Sequence, residues 1–566
     1  MWNQRDKTTI MKIYCKNTGE YLSMLGGERV IDLLPRLCEE LPFRPICAYV
    51  NNKTEDLCFP LFSPKQVEFI SEETDTGKRV YVRSLCMLLY KAVTGVLPGI
   101  TLRIDHSIAG GHYCRLTRAE ETVVPDLKMI NDISTRMQAL VDSDIPFKRH
   151  ERLTKDVIEM YRQQGLEAKV NLLETLHELY TTYYNLAGIA DGFYGPLAPS
   201  TGYLRNFDIR PYKDGFLLFP LKSEIVDEML RKNPPGEKMF KAFTDQLRFN
   251  FMIRVKNVGE LNRAVQEKRT AGLINVAETM HEKLIGEIAA EIAHRRKEGS
   301  AGVVLVAGPS SSGKTTSTKR LAIHLATNLI VPKMISLDDY FVNREDTPRD
   351  ETGDYDFESL YALDLDRLNS DLSKLLKGEE VNIPTYSFEL GRRVEKNKPL
   401  KLEKNDVLLM EGIHGLNPEL TKSIHSDKIF KVYVSALTTL KIDNHNWIST
   451  SDNRLLRRIV RDYKYRGTSA LETLRRWPSV RRGEEKWIFP FSENADATFN
   501  SSLIFELGVM KEYALPLLRE VPRDQVEYSQ AYRLLKLLSY FEPIPADQIP
   551  STSLLREFLG GSSFNY

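Results

Sequence analysis

Short apolar runs separated by turn residues fill the first part of the chain. Met11–Cys15, Val30–Leu37 and Ile46–Val50 are such runs, and the last closes on Asn51-Asn52. The outer two predict strands and the middle one a helix, together a small β-grasp-like α+β module. Leu85, Leu88, Leu89 and Ala92 then recur at helical spacing and predict a helix over 84–95. Strands are expected at Thr101–Asp105 and Tyr113–Thr117, around Gly110-Gly111, and helices over 126–142 and 153–163. The mixed-charge run Lys148–Arg152 reads as a solvated loop.

Beyond residue 221 the pattern turns helical. Asn233-Pro234-Pro235-Gly236 is a breaker. After it, Leu273, Val276, Ala277, Met280, Leu284, Ile288 and Ile292 keep helical spacing as far as the basic end His294–Lys297. Those charges suit a helix's negative carboxyl pole, so a core-packing helix is expected, with a nucleic-acid contact as the alternative. Buried-strand runs follow at Val303–Ala307, Met334–Leu337, Val407–Ile413 and Ile429–Val434, with a helix over Thr316–Asn328. Continuous apolar strands alternating with helices predict a mostly parallel sheet flanked by helices. A last helix, about 524–540, precedes Pro543, Pro545 and Pro550, a segment Ser551–Phe558 and a glycine-serine end. This tail is expected to pack on the preceding domain without chemistry of its own. The whole reads as a multidomain α/β and α+β protein with units 1–75, 76–225, 226–300, 301–510 and 511–566.

The candidate chemistry sits where the first carboxyl-half strand ends. Val303–Ala307 runs into Gly308-Pro309-Ser310-Ser311-Ser312-Gly313-Lys314-Thr315-Thr316. This is a complete G-x-x-x-x-G-K-[ST] loop between a strand and a helix. Its backbone N–H groups can face one anion, helped by the positive end of the helix dipole. Lys314 can reach terminal phosphates, and the Thr315 hydroxyl can ligate Mg²⁺. Asp338 and Asp339 end the next strand, where one carboxylate can accept the proton of an attacking hydroxyl and lie close to the metal. Glu411 ends the third strand at the same sheet edge and is a further candidate Mg²⁺ ligand. In Arg454–Asp462, Arg454, Arg458 and Arg461 share roughly one helical face and can serve as a lid over ATP; the alternative is a solvated basic helix. The aromatics of Trp477–Gly483 and Trp487–Phe491 either stack an acceptor or cover the core.

Composition narrows the class. The chain has 566 residues, 42% of them apolar, and a net charge of +1. It has no global field to draw in nucleic acid or an anionic membrane. No apolar run is long enough for a membrane span, and the start Met1–Lys7 lacks a signal core. The six cysteines, Cys15, Cys38, Cys47, Cys58, Cys86 and Cys114, form no C-x-x-C pair, so reduced thiols in a cytoplasmic protein are expected. His106 and His112 flank Gly110-Gly111; local hydrogen bonding or solvent exposure is the expected reading, a metal pair the alternative.

Two resemblances refine this picture. Residues from about 10 to 220 resemble the amino-terminal part of threonyl-tRNA synthetase, a TGS-type domain followed by the "second additional" editing domain. Tyr81–Val93, Ile145-Pro146-Phe147 and Gly195–Gly202 carry it. The editing domain's H-x-x-x-H positions are here Arg83 and Met87, and its later Cys and His positions are Phe193 and Leu197. Lacking imidazole and thiolate, this domain is expected to do no editing, which leaves binding or scaffolding.

Residues from about 300 to 510 resemble the uridine kinase and phosphoribulokinase family of P-loop kinases. The ordered matches are the phosphate loop, Ser336–Phe341, Asp354–Phe357, Pro384–Phe388, Arg393, Leu409–Gly412 and Arg457–Asp462 with Arg466-Gly467. The resemblance implies ATP and Mg²⁺, with Asp338 as the base. It implies Asp356 on sugar hydroxyls, Tyr386 and Arg393 at the acceptor, and Arg458, Arg461 and Arg466 as lid arginines. A base-contacting His of uridine-cytidine kinases is Gly391 here, a second lid arginine is Thr468, and Ser435–Asn453 is a longer insertion. The expected function is therefore phosphorylation of a small-molecule hydroxyl, most of all on a nucleoside. The alternatives are a sugar or polyol kinase, and an RNA- or tRNA-associated nucleotide switch. Homo-oligomerisation stays open.

Overall fold

A computed structural model of the chain describes residues 10–37, 40–232, 234–351, 353–387, 389–394 and 396–565. Cys38, Asn233 of the breaker, Phe388 of the acceptor motif and the first residues, Met1–Lys7, lie outside them.

The first unit is a five-stranded mixed sheet of β1 (Ile10–Cys15), β2 (Glu20–Leu25), β3 (Pro45–Val50), β4 (Lys53–Glu55) and β5 (Gln66–Ser71), in the order β2-β1-β5-β3-β4. The run at Val30 is a 3₁₀ helix ending at Arg36. Next comes α1 (Asp75–Val96), capped by Thr74, whose hydroxyl accepts from the Gly77 amide at 3.0 Å. A Cβ at Gly77 would lie 1.9 Å from the Ser71 carbonyl oxygen, so the tight entry from β5 into α1 requires glycine there. The helix is buried on most sides from Val80 to Val93 because β-strands and helices enclose it. Next along the chain come β6 (Thr101–Ile108), β7 (Gly111–Arg118) and β8 (Glu121–Val123). The chain then runs through α2 (Leu127–Asp142), β9 (Lys148–Leu153), α3 (Thr154–Gln163), α4 (Glu167–Thr175), β10 (Tyr180–Leu186), β11 (Ile189–Asp191), β12 (Asp208–Tyr212) and β13 (Gly215–Phe219). The run expected to be a solvated loop is thus β9, paired antiparallel with β10.

Helices α5 (Ser223–Lys232), α6 (Glu237–Met252), α7 (Val258–Gln266) and α8 (Thr270–Lys297) follow. α8 lays Ile285, Ala289, Ile292 and Ala293 on one face of the carboxyl-half sheet, although Val276 of the expected stripe is 46% exposed. Its basic end is engaged by Arg295, which pairs with Glu291 and with Asp496, each at 2.9 Å.

The carboxyl-half sheet holds β14 (Val303–Ala307), β15 (Val331–Ser336), β16 (Asp406–Glu411), β17 (Ile429–Ser435) and β18 (Ala497–Asn500). It is five-stranded, in the order β15-β16-β14-β17-β18, with every pairing parallel. β14 is central and buried throughout, as its Val-Val-Leu-Val-Ala sequence predicts. α9 (Lys314–Thr327) and α8 cover one face, and α10 (Leu365–Leu376) the other. Then come α11 (Thr450–Arg466), α12 (Ala470–Trp487), α13 (Glu506–Arg519), α14 (Tyr528–Ser539) and a short α15 (Arg556–Leu559). The expected limits 225/226 and 510/511 fall inside α5 and α13. The tail is no separate unit, because Leu534, Leu537 and Leu538 share one core with Leu455, Leu456 and Trp477. Among the described residues no helix is long and apolar enough to cross a membrane.

The insertion Ser435–Asn453 joins the two halves. Lys169 is buried between Asp191 and Asp443, 2.7 Å from each. His445 Nδ1 lies 2.6 Å from Asp191, and Lys441 donates to Asp105 at 2.6 Å. Burial opposes the charge on Lys169, but its two carboxylates raise its pKa above the ordinary lysine value. Trp447 packs on His112, and His106 stacks on Phe243 at 3.5 Å. Both histidines pack against aromatic rings, and His112 Nδ1 lies 3.2 Å from the Ser107 hydroxyl, the local hydrogen bonding expected; burial pushes His112 down to about 4 and His106 to about 3. The described cysteines are free thiols, with Cys15, Cys47, Cys86 and Cys114 buried.

Candidate active site

The parallel register delivers the chemistry to one edge. Val306 of β14 stands opposite Glu411 of β16, and Glu411 opposite Ser336 of β15. The phosphate loop, Glu411 and Asp338, two residues past Ser336, therefore leave the sheet side by side. Ligands of open parallel sheets bind at this edge. A cavity of about 280 Å³ lies there, lined by Lys314, Thr315, Asp338, Glu411, Arg458, Arg461 and Arg466 among others.

The loop's shape depends on its glycines. A Cβ at Gly308 would lie 2.0 Å from the Val434 carbonyl oxygen, and Gly313 has φ +84°. Lys314 Nζ folds back to the Pro309 carbonyl at 3.0 Å. Burial lowers its pKa, with Glu411 and Asp338 opposing. Burial pushes Glu411 up to about 7 and raises Asp338, in each case against Lys314. The Thr315 hydroxyl donates to Glu411 at 3.1 Å. The side-chain hydroxyls of Ser311, Ser312 and Ser317 are buried without a hydrogen-bond partner.

The arginine helix divides its work. Arg458 donates to the Ser310 hydroxyl at 2.8 Å, and Arg461 to Asp462 at 2.7 Å; Arg466 lies 3.5 Å from the same carboxylate. Asp462 thus gathers the lid arginines at the cavity mouth. Arg454 does not join them. It is buried, paired with Glu484 at 2.7 Å, and donates to the Ser310 carbonyl at 3.1 Å. The expected common face of Arg454, Arg458 and Arg461 is therefore split: Arg454 braces the loop from behind. Trp477 beneath it is 4% exposed, which settles that aromatic as core.

The acceptor residues implied by resemblance stand apart from the cavity wall. Arg393 pairs with Asp364 at 2.9 Å and donates to the Phe341 and Tyr340 carbonyls. Tyr386 packs on Phe341, and the Asp356 carboxylate accepts from the Glu358 amide at 3.2 Å. The wall on that side consists of Phe341, Phe357 and Glu358. Glu358, which the sequence reading did not single out, is pushed up to about 7 by burial and by Glu484. Its place directly after Asp354–Phe357 was the available signal.

The tail supplies a site residue that nothing local announces. Glu557 accepts from the Thr316 amide at 3.2 Å and from its hydroxyl at 2.6 Å. Leu554 packs over Gly313, where a Cβ would lie 2.6 Å away. The tail packs on the preceding domain as expected and also reaches the cavity: its carboxylate sits on the first turn of α9, where the phosphate loop presents its amides.

This fold and edge define a nucleotide-binding P-loop phosphotransferase. The Phosphoribulokinase / Uridine kinase family model matches residues 303–503. A uridine kinase of Anoxybacillus flavithermus is 30% identical over 195 residues, 34% of this chain and 83% of that protein. One from Halobacterium salinarum is 28% identical, over 34% of this chain and 76% of that protein. The chain belongs to the phosphoribulokinase and uridine kinase family. Its amino-terminal region is similar to the threonine–tRNA ligase of Carboxydothermus hydrogenoformans, 27% identical over 38% of this chain but only 33% of the ligase's length. At the editing-type positions, Met87 and Leu197 are fully buried, Phe193 nearly so, and Arg83 donates to the Pro196 carbonyl at 3.2 Å.

Proposed function

We propose that the chain moves the γ-phosphoryl group of ATP, with Mg²⁺, onto a hydroxyl of a small molecule, in the first place a nucleoside of the uridine and cytidine kind. One observation carries this reading: Lys314, Asp338, Glu411 and the Asp462-bound arginines converge on a single cavity at the sheet edge.

Asp338 accepts the acceptor's hydroxyl proton as the new oxygen–phosphorus bond forms and the bond to ADP breaks. Lys314, Arg461 and Arg466 favour the ionised form of Asp338 against burial. The same cations, with Arg458, neutralise charge on the phosphoryl group in flight. No group of three His, Cys, Asp or Glu side chains among the described residues is arranged to hold a metal unaided. Thr315 and Glu411, 3.1 Å apart, fit a Mg²⁺ that arrives with the nucleotide, since Mg²⁺ takes one or two protein oxygens besides phosphates and water. When bound, Mg²⁺ would neutralise phosphate charge.

On the acceptor side, Gly391 has φ +65°, and a Cβ there would lie 2.8 Å from the Arg344 guanidinium. Arg344 thus occupies the space a base-reading side chain would use, which favours a sugar or polyol as the second reading. Following ATP to ADP by ³¹P NMR against nucleosides, sugars and polyols tests both. Transfer to uridine or cytidine supports the first reading, and transfer to non-nucleoside alcohols alone replaces it with the second. ATP binding without transfer to any hydroxyl would favour the RNA-associated switch.

A further inference from the structure

A second charged cleft lies in the front half. Its walls come from three distant stretches: β4 with Asp56, α1 with the β9–β11 sheet, and α14 of the tail. The cavity encloses about 220 Å³ and shares Thr76, Arg79, Arg83 and Tyr194 with an adjoining cleft of about 850 Å³.

Some of its cations are balanced. Lys53 pairs with Glu55 at 2.8 Å, Arg149 approaches Asp56 at 3.8 Å, and Arg533 holds Asp452 at 2.7 Å. Arg79, Arg83 and Lys536 are not. Arg79 donates to the Thr76 hydroxyl at 2.9 Å and Arg83 to a backbone carbonyl. Among the described residues, no carboxylate lies within 4.0 Å of any of the three. Arg83 is only 7% exposed, and its guanidinium faces the Tyr194 ring at 5.8 Å. Burial lowers the pKa of all three; Arg79, pushed down to about 10, is further repelled by Arg533, while the more distant Asp452 and Asp75 oppose the shift at Arg79 and Glu55 and Glu178 oppose it at Lys536.

Cations removed from water are costly unless a counter-charge meets them. A chain that brings these three together from α1 and α14, with no carboxylate within ion-pair distance of them and with Glu55 and Asp56 of the wall already engaged by Lys53 and Arg149, has built a site for an anion from outside. The surplus exceeds what one carboxylate would balance. Guanidinium groups suit the oxygens of a phosphate, which they can bind through paired N–H donors. The small volume suits a compact ligand. We propose that this cavity binds a compact phosphorylated small molecule, its phosphate set between Arg79, Arg83 and Lys536.

Calorimetric titration of the whole chain with inorganic pyrophosphate counts the sites. The wild type is expected to bind two equivalents, one of them at the phosphate loop. Lys314→Ala should keep one, and adding Arg83→Met should remove that one. Loss of all binding in Lys314→Ala alone overturns the proposal. Should Arg83→Met not fold, Lys536→Met in the Lys314→Ala background is expected to weaken pyrophosphate about ten-fold, the loss of one charge-assisted contact. Unchanged affinity there overturns the proposal too. So does a short RNA that binds the cavity and that pyrophosphate fails to displace.

Discussion

The two clefts carry opposite imbalances. At the phosphate loop, Lys314 is surrounded by Asp338, Glu358, Glu411 and Glu557, while the lid arginines are tied to Asp462. In the front cavity, Arg79, Arg83 and Lys536 have no carboxylate within 4.0 Å among the described residues, and Glu55, Asp56 and Asp452 pair with other cations. The surplus in each sets the charge of the group it suits. The phosphate-loop cleft has carboxylates to spare for a cation that comes with a phosphate chain. The front cavity has cations to spare. In the proposed reading, the chain pairs one site that performs chemistry with one that holds an anion.

Removing the central cation should break the first half of that contrast most strongly. Lys314→Ala is expected to lower kcat/KM by about 10³-fold, the loss typical of a preorganised charge at a reacting phosphate, as measured by steady-state kinetics.

Protonation should separate the clefts next. Glu358 and Glu411 are pushed up to about 7, above the ordinary carboxylate value. Between about pH 4.5 and 7 the native chain then binds more protons than the unfolded chain, so its stability falls as pH rises through that window. Metal-bearing nucleotide prefers the ionised carboxylates, so its binding should strengthen with pH up to about 7 and release protons below it. Titrations in buffers of differing ionisation enthalpy read that release. Proton-neutral binding at pH 6 would place these carboxylates outside the nucleotide site.

Glu557 offers a finer test. Its carboxylate occupies the Thr316 amide and hydroxyl, groups suited to a phosphate oxygen. Glu557→Gln should tighten ATP about ten-fold by removing a like charge. Weaker binding would make Glu557 a supporting residue instead. The smallest effect is expected in the front cavity: without added anions, Lys536→Met should stabilise the chain by about 1 kcal/mol in denaturant unfolding. A loss of that size would show that Lys536 already has its counter-charge.

What could be read from the sequence follows the range of the interactions. The phosphate loop, Asp338 and Glu411 were legible because each ends a strand whose apolar run is local, and parallel register does the rest. Asp462 as the arginine anchor was half visible, lying within the same helical motif. Arg454 was misjudged because helical spacing gives a face but not its neighbour, and the neighbour, Glu484, comes from the next helix. Glu557 contacts a residue 241 positions away, beyond any local pattern. The insertion's docking was hidden likewise, since Asp443 and His445 acquire their meaning only from Lys169 and Asp191. Lys148–Arg152 looked solvated because its charges face outward on a strand, and one of them, Arg149, lines the front cavity.

The most direct test of phosphoryl transfer at the sheet edge is Asp338→Asn, assayed with the acceptor the hydroxyl panel identifies. ATP affinity is expected within about two-fold of wild type and turnover reduced by about 10³-fold, within the range for loss of a general base. Near-normal turnover would contradict Asp338 as the base.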